Sequence, residues 1–287
     1  MKTGIYINLD RSKDRKKSLL DQITLSGLDP KKYERFSAIE PKDYEKEKLR
    51  GLKSRGEVGL WQSFLFTLQH IADNPTFDSF VHLLEDDSEF SPNIISAIEI
   101  SRNNMANNSD IDIIFLDYFF TVELAKQLLE IKENYKEDFV IFPARQCYLA
   151  CTSSFLIRKS SASFIYEVLK RIFYSECKLR PIDLTLRSLF QLGIINGSLL
   201  YPPPTSPKYN PPISEKSTIQ TNVDESMSKS LEAHILLRKL ASFQFSPFYC
   251  GESLSNLFNL KNPLNANSSH KEFLEVFSSC QQIRKDF

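Results

Sequence analysis

The residues Ser79 to Phe90, SFVHLLEDDSEF, hold the densest chemistry in the chain. A short apolar run, Phe80 to Leu84, stops at three adjacent carboxylates, Glu85, Asp86 and Asp87. This is the pattern of a buried strand that delivers acids to its exposed C-terminal end. Three neighbouring carboxylates repel one another unless a cation or strong donors offset the charge. Hard oxygen ligands at a strand end suit Mg²⁺ or Mn²⁺ bound together with a substrate phosphate, with Asp87 as the first candidate ligand, aided by Glu85 or Asp86. A solvated acidic turn after a strand explains the triplet equally well if nothing else converges on it.

Two further places carry candidate groups. Gly4 to Asn8 is a β-branched and aromatic run, and the loop Asn8 to Arg11 follows it. In an open α/β sheet such a loop lies where nucleotides bind. Arg11 and Arg15 would then offer planar, forked donors to a diphosphate. The plainer alternative is that Asp10, Arg11, Asp14 and Arg15 form exposed pairs around a helix start. The second place is Asp183 in Arg180-Pro181-Ile182-Asp183, at the start of a helix. The helix dipole alone favours a carboxylate there. An acid held at that point and opening into a site is also a candidate general base for an acceptor hydroxyl, with Asp117, at the tip of another strand, as its competitor.

The elements that must position these groups alternate along the chain. The strand from Gly4 to Asn8 leads to a helix with Ser12 as N-cap and Gly27 as the C′ glycine. Tyr33 to Ile39 reads as a second strand, and Pro41 to Lys53 as a charged surface excursion. Ser54-Arg55-Gly56-Glu57 is a capping box, and Val58, Trp61, Leu65, Leu68 and Ala72 define an amphipathic helix after it. Gly56 and Gly59 in its first turn imply a close backbone approach, or tight packing on the sheet. Beyond the acidic triplet come a helix from Ser91-Pro92 with Ile94, Ile95, Ile98 and Met105 inward, and a strand from Ile111 to Leu116. A helix over residues 122–132, a strand from Phe139 to Phe142 and a longer apolar stretch from Gln146 to Ile157 follow. The chain then reads as a helix from Ser160 to Phe173, a helix from Pro181 and a last strand from Ile194 to Tyr201. This alternation indicates an α/β fold with a mostly parallel sheet flanked by helices. The prolines from Pro202 to Pro212 predict an extended, poorly packed excursion. Apolar positions in Leu231 to Leu240 and an aromatic run from Phe243 to Tyr249 predict a helical C-terminal appendage over residues 222–287, after a catalytic domain over residues 1–221.

Composition narrows the class. With 36 basic and 36 acidic side chains in 287 residues the formal net charge is zero, which argues against a partner that is nucleic acid. The aromatic content, 22 Phe and 11 Tyr, supplies a sizeable core. Five cysteines, Cys147, Cys151, Cys177, Cys250 and Cys280, lack any CxxC or zinc spacing, so reduced thiols are expected. With no secretory h-region and no membrane-length apolar run, the sequence reads as cytoplasmic.

The opening INLDRSKDRK, the downstream RFSAIE, the helix start GEVGLWQSF, the strand HLLEDD, the later TSSFLIRKSSASFI and the PID before a helix together resemble glycosyltransferase family 25, over roughly residues 4–220. That family contains bacterial lipopolysaccharide and lipooligosaccharide galactosyltransferases and the collagen galactosyltransferases. The resemblance implies a GT-A fold, a UDP-sugar donor, typically UDP-galactose, a divalent cation (Mn²⁺ or Mg²⁺) and transfer with inversion. It also implies roles residue by residue. Asn8, Asp10, Arg11 and Arg15 match the donor-side N-terminal motif, Glu57 and Gly59 the GE(I/V)G turn, Glu85 to Asp87 the DxD-like metal motif, and Asp183 the later acidic position. Asp86 is thereby expected on the donor side, Glu85 and Asp87 on the metal, and Asp183 as the base. The chain departs from the pattern at Phe64, where members often carry a His. A lipid-linked or lipid A-linked acceptor would bring the protein into peripheral contact with the inner membrane. Two other classes use similar residues: a metal-dependent phosphohydrolase, which would want more His or Asp ligands, and a sugar-nucleotide-binding or assembly protein that keeps the fold without catalysis.

Overall fold

A computed structural model describes residues 1–40, 50–52, 54–119, 138–208, 235, 238 and 239. Its strands are β1 (Lys2–Asn8), β2 (Tyr33–Ser37), β3 (Phe77–Glu85), β4 (Ser88–Phe90), β5 (Ile113–Phe115), β6 (Val140–Pro143), β7 (Ser154–Arg158), β8 (Gly197–Tyr201) and β9 (Thr205–Pro207). Its helices are α1 (Lys13–Leu25), α2 (Arg55–Asp73), α3 (Ile94–Asn107), α4 (Ala144–Cys147), α5 (Lys159–Tyr174) and α6 (Ile182–Gln191), with a 3₁₀ turn at Pro30–Lys32. Seven strands form one sheet in the order β2-β1-β3-β7-β5-β8-β6, and β4 pairs with β9 in a separate antiparallel ribbon. β1 runs parallel to β2 and β3, and β5 to β8. β7 lies reversed between β3 and β5, and β6 is reversed at the edge.

The period-two alternation of the strands decides which helices cover which face. Ile5, Ile7, Val81, Leu83, Ile113 and Phe115 join the core under α2, α5 and α6, whereas Tyr6, Leu84 and Ile114 join the core under α1 and α3. On the first face Trp61 of α2 stacks on Phe173 of α5 at 5.6 Å, and Phe64 lies 5.6 Å from Phe155. Local signals agree with these elements at several ends. The Ser54 side chain accepts from Glu57 N–H at 3.2 Å, half of the capping box. Gly27, at φ +80°, ends α1 in a Schellman motif, with Leu28 N–H on Ile23 O and Gly27 N–H on Thr24 O, each at 3.0 Å.

Other expectations are corrected. Ser12 precedes α1 without a side-chain cap. Ile95 is exposed, because α3 turns Ile94, Ala97, Ser101 and Met105 inward at helical spacing and Ile95 lies off that stripe. Within the apolar stretch from Gln146 to Ile157, α4 is followed by an irregular turn with Cys151 at φ +89°, and β7 starts at Ser154. Pro202, Pro203 and Pro204 are buried, and the chain after them pairs with β4, so this part of the proline-rich segment is packed. The helix expected over residues 122–132 and the aromatic run Phe243 to Tyr249 lie outside the described residues. Among the described residues no helix is long and apolar enough to cross a membrane. Cys147 and Cys151 are free thiols.

Candidate active site

The C-terminal ends of β1 and β3 lie side by side, and this adjacency brings two distant sequence motifs together. Asn8, the last residue of β1, is buried and donates through Nδ2 to Asp86 Oδ2 at 2.6 Å and to Ser12 O at 3.0 Å. Arg15, in the first turn of α1, reaches across to the same acids, with Nη2 2.6 Å from Asp86 Oδ1 and 3.0 Å from Asp87 Oδ2. All three side chains are largely buried, with 11%, 7% and 18% exposure for Arg15, Asp86 and Asp87. The other Asp87 oxygen, Oδ1, is buried and accepts no hydrogen bond among the described residues. One guanidinium thus faces two acids, with Glu85 next to them in sequence.

The electrostatics follow from that imbalance. Burial, with the Asp87 charge next, pushes Glu85 up to about 8, against Thr152 Oγ1, which donates to Glu85 Oε1 at 3.1 Å. Burial also raises Asp86 to about 6, although Arg15 and Asn8 both favour its charged form. Near neutrality Glu85 therefore keeps its proton whereas Asp86 is mostly ionised, and added positive charge favours the ionised form of both.

The remaining residues singled out from sequence divide into two sets. Asp10 is exposed and accepts from Arg35 Nη2 at 2.5 Å and Ser37 Oγ at 2.7 Å, while Arg11 is half-exposed and pairs with Glu40. These two form surface pairs at the rim. Arg35 also donates through Nε to Asn8 Oδ1 at 2.9 Å and through Nη2 to Asn8 O at 3.0 Å, which fixes the amide that holds Asp86. Glu57 and Gly59 lie in the first two turns of α2, where Gly59 is buried and its carbonyl accepts from Ser63 Oγ at 2.7 Å. Trp61 Nε1 donates to Arg180 O at 2.8 Å and so ties α2 to the loop before α6. This places Asp183 within electrostatic reach of Glu57. Burial raises Asp183 and Glu57 adds to the rise, while the N–H groups of Leu184 at 2.8 Å and Cys151 at 3.4 Å oppose it. Phe64 is buried against Phe155 and belongs to the core.

Asp117 is the site residue whose surroundings differ most from expectation. It is fully buried, with Oδ1 2.6 Å from Arg238 Nη1, and Oδ2 accepting from Ser153 Oγ and, at 3.3 Å, from the Cys151 thiol. An acid so enclosed and ion-paired is a structural anchor and not a base open to an acceptor. Sequence reasoning gave no role to Arg35, Thr152, Ser153, Arg238 or Lys239. A Thr-Ser-Ser run leading into an apolar strand was the readable hint for Thr152 and Ser153. The Arg-Lys pair of the C-terminal segment carried no signal that it would be buried.

Among the described residues no three His, Cys, Asp or Glu side chains form a ready ligand set for a metal. A cation that keeps its waters and takes oxygens from a substrate diphosphate needs only one or two protein carboxylates. The buried Asp87 Oδ1, with no hydrogen bond among the described residues, and the neighbouring Glu85 carboxyl, whose charged form burial disfavours, fit that demand. No protein-family model matches the chain, and no curated protein matches it.

Proposed function

We propose that the protein is an inverting glycosyltransferase of GT-A type. It moves a hexosyl group, in the first instance galactose from UDP-galactose, to a hydroxyl of a glycan acceptor such as lipooligosaccharide or lipopolysaccharide. The observation that carries this reading is the meeting of Asn8, Arg15, Asp86 and Asp87 at the C-terminal ends of two adjacent parallel strands, short of positive charge and with Asp87 Oδ1 buried and unpaired. Open α/β sheets bind nucleotides at that edge.

In this mechanism Glu85 and Asp87 would hold a divalent cation, which would supply charge stabilisation to the departing diphosphate. Arg15 keeps Asp86 and Asp87 in place and adds donors on the phosphate side. Asp183 takes the proton of the acceptor hydroxyl as its oxygen bonds to the anomeric carbon and the carbon–oxygen bond to the diphosphate breaks, releasing UDP. Its raised affinity for a proton suits that task better than an ordinary surface aspartate.

The reading is tested by incubating the full chain with a panel of nucleotide sugars and following release of free sugar with Mn²⁺ and with EDTA. Mn²⁺-dependent hydrolysis of UDP-galactose is expected. Binding of UDP without hydrolysis or transfer would leave a sugar-nucleotide-binding protein, and absence of both would remove the proposal.

A further inference from the structure

The turn between α4 and β7 touches three acids that come from three distant parts of the chain. Cys151 N–H donates to Asp183 at 3.4 Å, Thr152 Oγ1 donates to Glu85 at 3.1 Å, and Ser153 Oγ donates to Asp117. The Ser153 carbonyl also accepts from Glu85 N–H at 2.7 Å and from Ser88 Oγ at 3.2 Å, so the turn fixes the start of the acidic loop from both sides. Its backbone is of a kind that the surroundings must enforce, since Cys151 is a non-glycine residue at φ +89°.

What enforces it comes from far along the chain. Arg238 is 1% exposed; its Nη1 lies 2.6 Å from Asp117 Oδ1 and 3.4 Å from Cys151 Sγ, and its guanidinium sits 4.6 Å from the centre of the Phe119 ring. Ile235 is buried, and Lys239, adjacent to Arg238, pairs with Glu89 of β4, just beyond the acidic triplet.

We propose that Arg238 is a positioning residue for the candidate site: through Asp117 and Ser153 it fixes the Cys151–Ser153 turn, and that turn holds Glu85 and Asp183 in their working places. Arg238 is then part of the catalytic unit. This rests on the proposed glycosyl transfer for its functional consequence, but its structural half stands apart from that reading.

The test compares the full-length wild type with Arg238→Met and with Arg238→Met/Asp117→Asn. The double variant removes both charges, so it folds even where the single variant, left with an unpaired buried carboxylate, does not. Amide hydrogen exchange over residues 148–156 is expected to quicken at least about tenfold in the double variant while α5 stays protected. Hydrolysis of UDP-galactose should fall by about 10–100-fold in kcat, with KM for the donor within about threefold, because groups misplaced by about 1 Å cost rate more than binding. Recovery of wild-type kcat together with stability in the double variant would overturn the proposal, since Arg238 would then merely neutralise a buried acid. Unchanged exchange in the turn would overturn it as well. A wild type that hydrolyses no nucleotide sugar removes the glycosyl-transfer reading instead, and the exchange measurement still decides the strut.

Discussion

Replacing Arg15 separates a surface ion pair from a site that is held together by one guanidinium. In Arg15→Met the aliphatic stem is kept and the charge is lost, leaving Asp86 and Asp87 largely buried and facing Glu85. Breaking a buried pair by removing one partner typically costs about 3–5 kcal/mol. Part of this is recovered at neutral pH, because Asp86 already sits at about 6 and loses the cation that held it down, so it takes up a proton. A net loss of about 2–4 kcal/mol follows, or about 4–16 °C in Tm at about 2–4 °C per kcal/mol for a domain of this size. The assay is thermal unfolding at pH 7.5 in EDTA, repeated for Asp86→Asn and for Arg15→Met/Asp86→Asn, with the coupling read from the cycle. The double variant should recover much of the loss. A change in Arg15→Met of less than about 0.5 kcal/mol, the scale of exposed pairs, would refute the reasoning.

Asp183→Asn should lower the rate of transfer by about 10²–10⁴-fold with UDP affinity nearly unchanged, measured by steady-state kinetics and calorimetry; loss of UDP binding would move Asp183 to the donor side. His82 is buried between the Tyr33 hydroxyl at 2.9 Å and the Ser154 hydroxyl at 3.0 Å, and burial lowers it to about 3. The unfolded chain, with His near 6.5, therefore binds the extra proton, so this contribution is whole above about pH 6.5 and is lost as pH falls from there toward 3. Between pH 6.5 and 5 it amounts to about 2 kcal/mol, and denaturant titrations should show that much less acid sensitivity in His82→Gln than in the wild type. At Gly4 an added Cβ would lie 2.2 Å from Tyr33 Cε1, and that ring cannot swing away while its hydroxyl holds His82. Gly4→Ala should cost about 1–3 kcal/mol by chemical denaturation, and a neutral result would show that β1 and β2 can shift apart.

The fold was legible where local chemistry and tertiary placement agree. The capping box at Ser54, the glycine after α1 and the apolar run into Glu85 each act within a few residues, so sequence spacing reveals them. The reversed β7 was not legible, because its pattern is the same whichever way a buried strand runs, and its direction depends on the path from α4. At the site, the meeting of the N-terminal loop with the acidic triplet followed from two strand ends on one sheet edge. Which arginine does what did not follow. Arg11 and Arg15 are four residues apart, yet one lies before α1 and pairs with Glu40 at the surface, and the other is in α1 and buried against Asp86 and Asp87. Asp117 had the sequence features of a site acid, and only the arrival of Arg238 from 121 residues away makes it an anchor.

The central claim is that the Glu85–Asp87 cluster at the end of β3 receives a nucleotide diphosphate with a divalent cation. Calorimetric titration of UDP into the wild type and into Asp87→Asn, each with Mn²⁺ and with EDTA, tests it most directly. UDP binding that strengthens at least about tenfold with Mn²⁺ in the wild type, and loses that gain in a folded Asp87→Asn, is the expected result. UDP affinity that is the same with Mn²⁺ and with EDTA, or a Mn²⁺ effect that survives intact in Asp87→Asn, would contradict it.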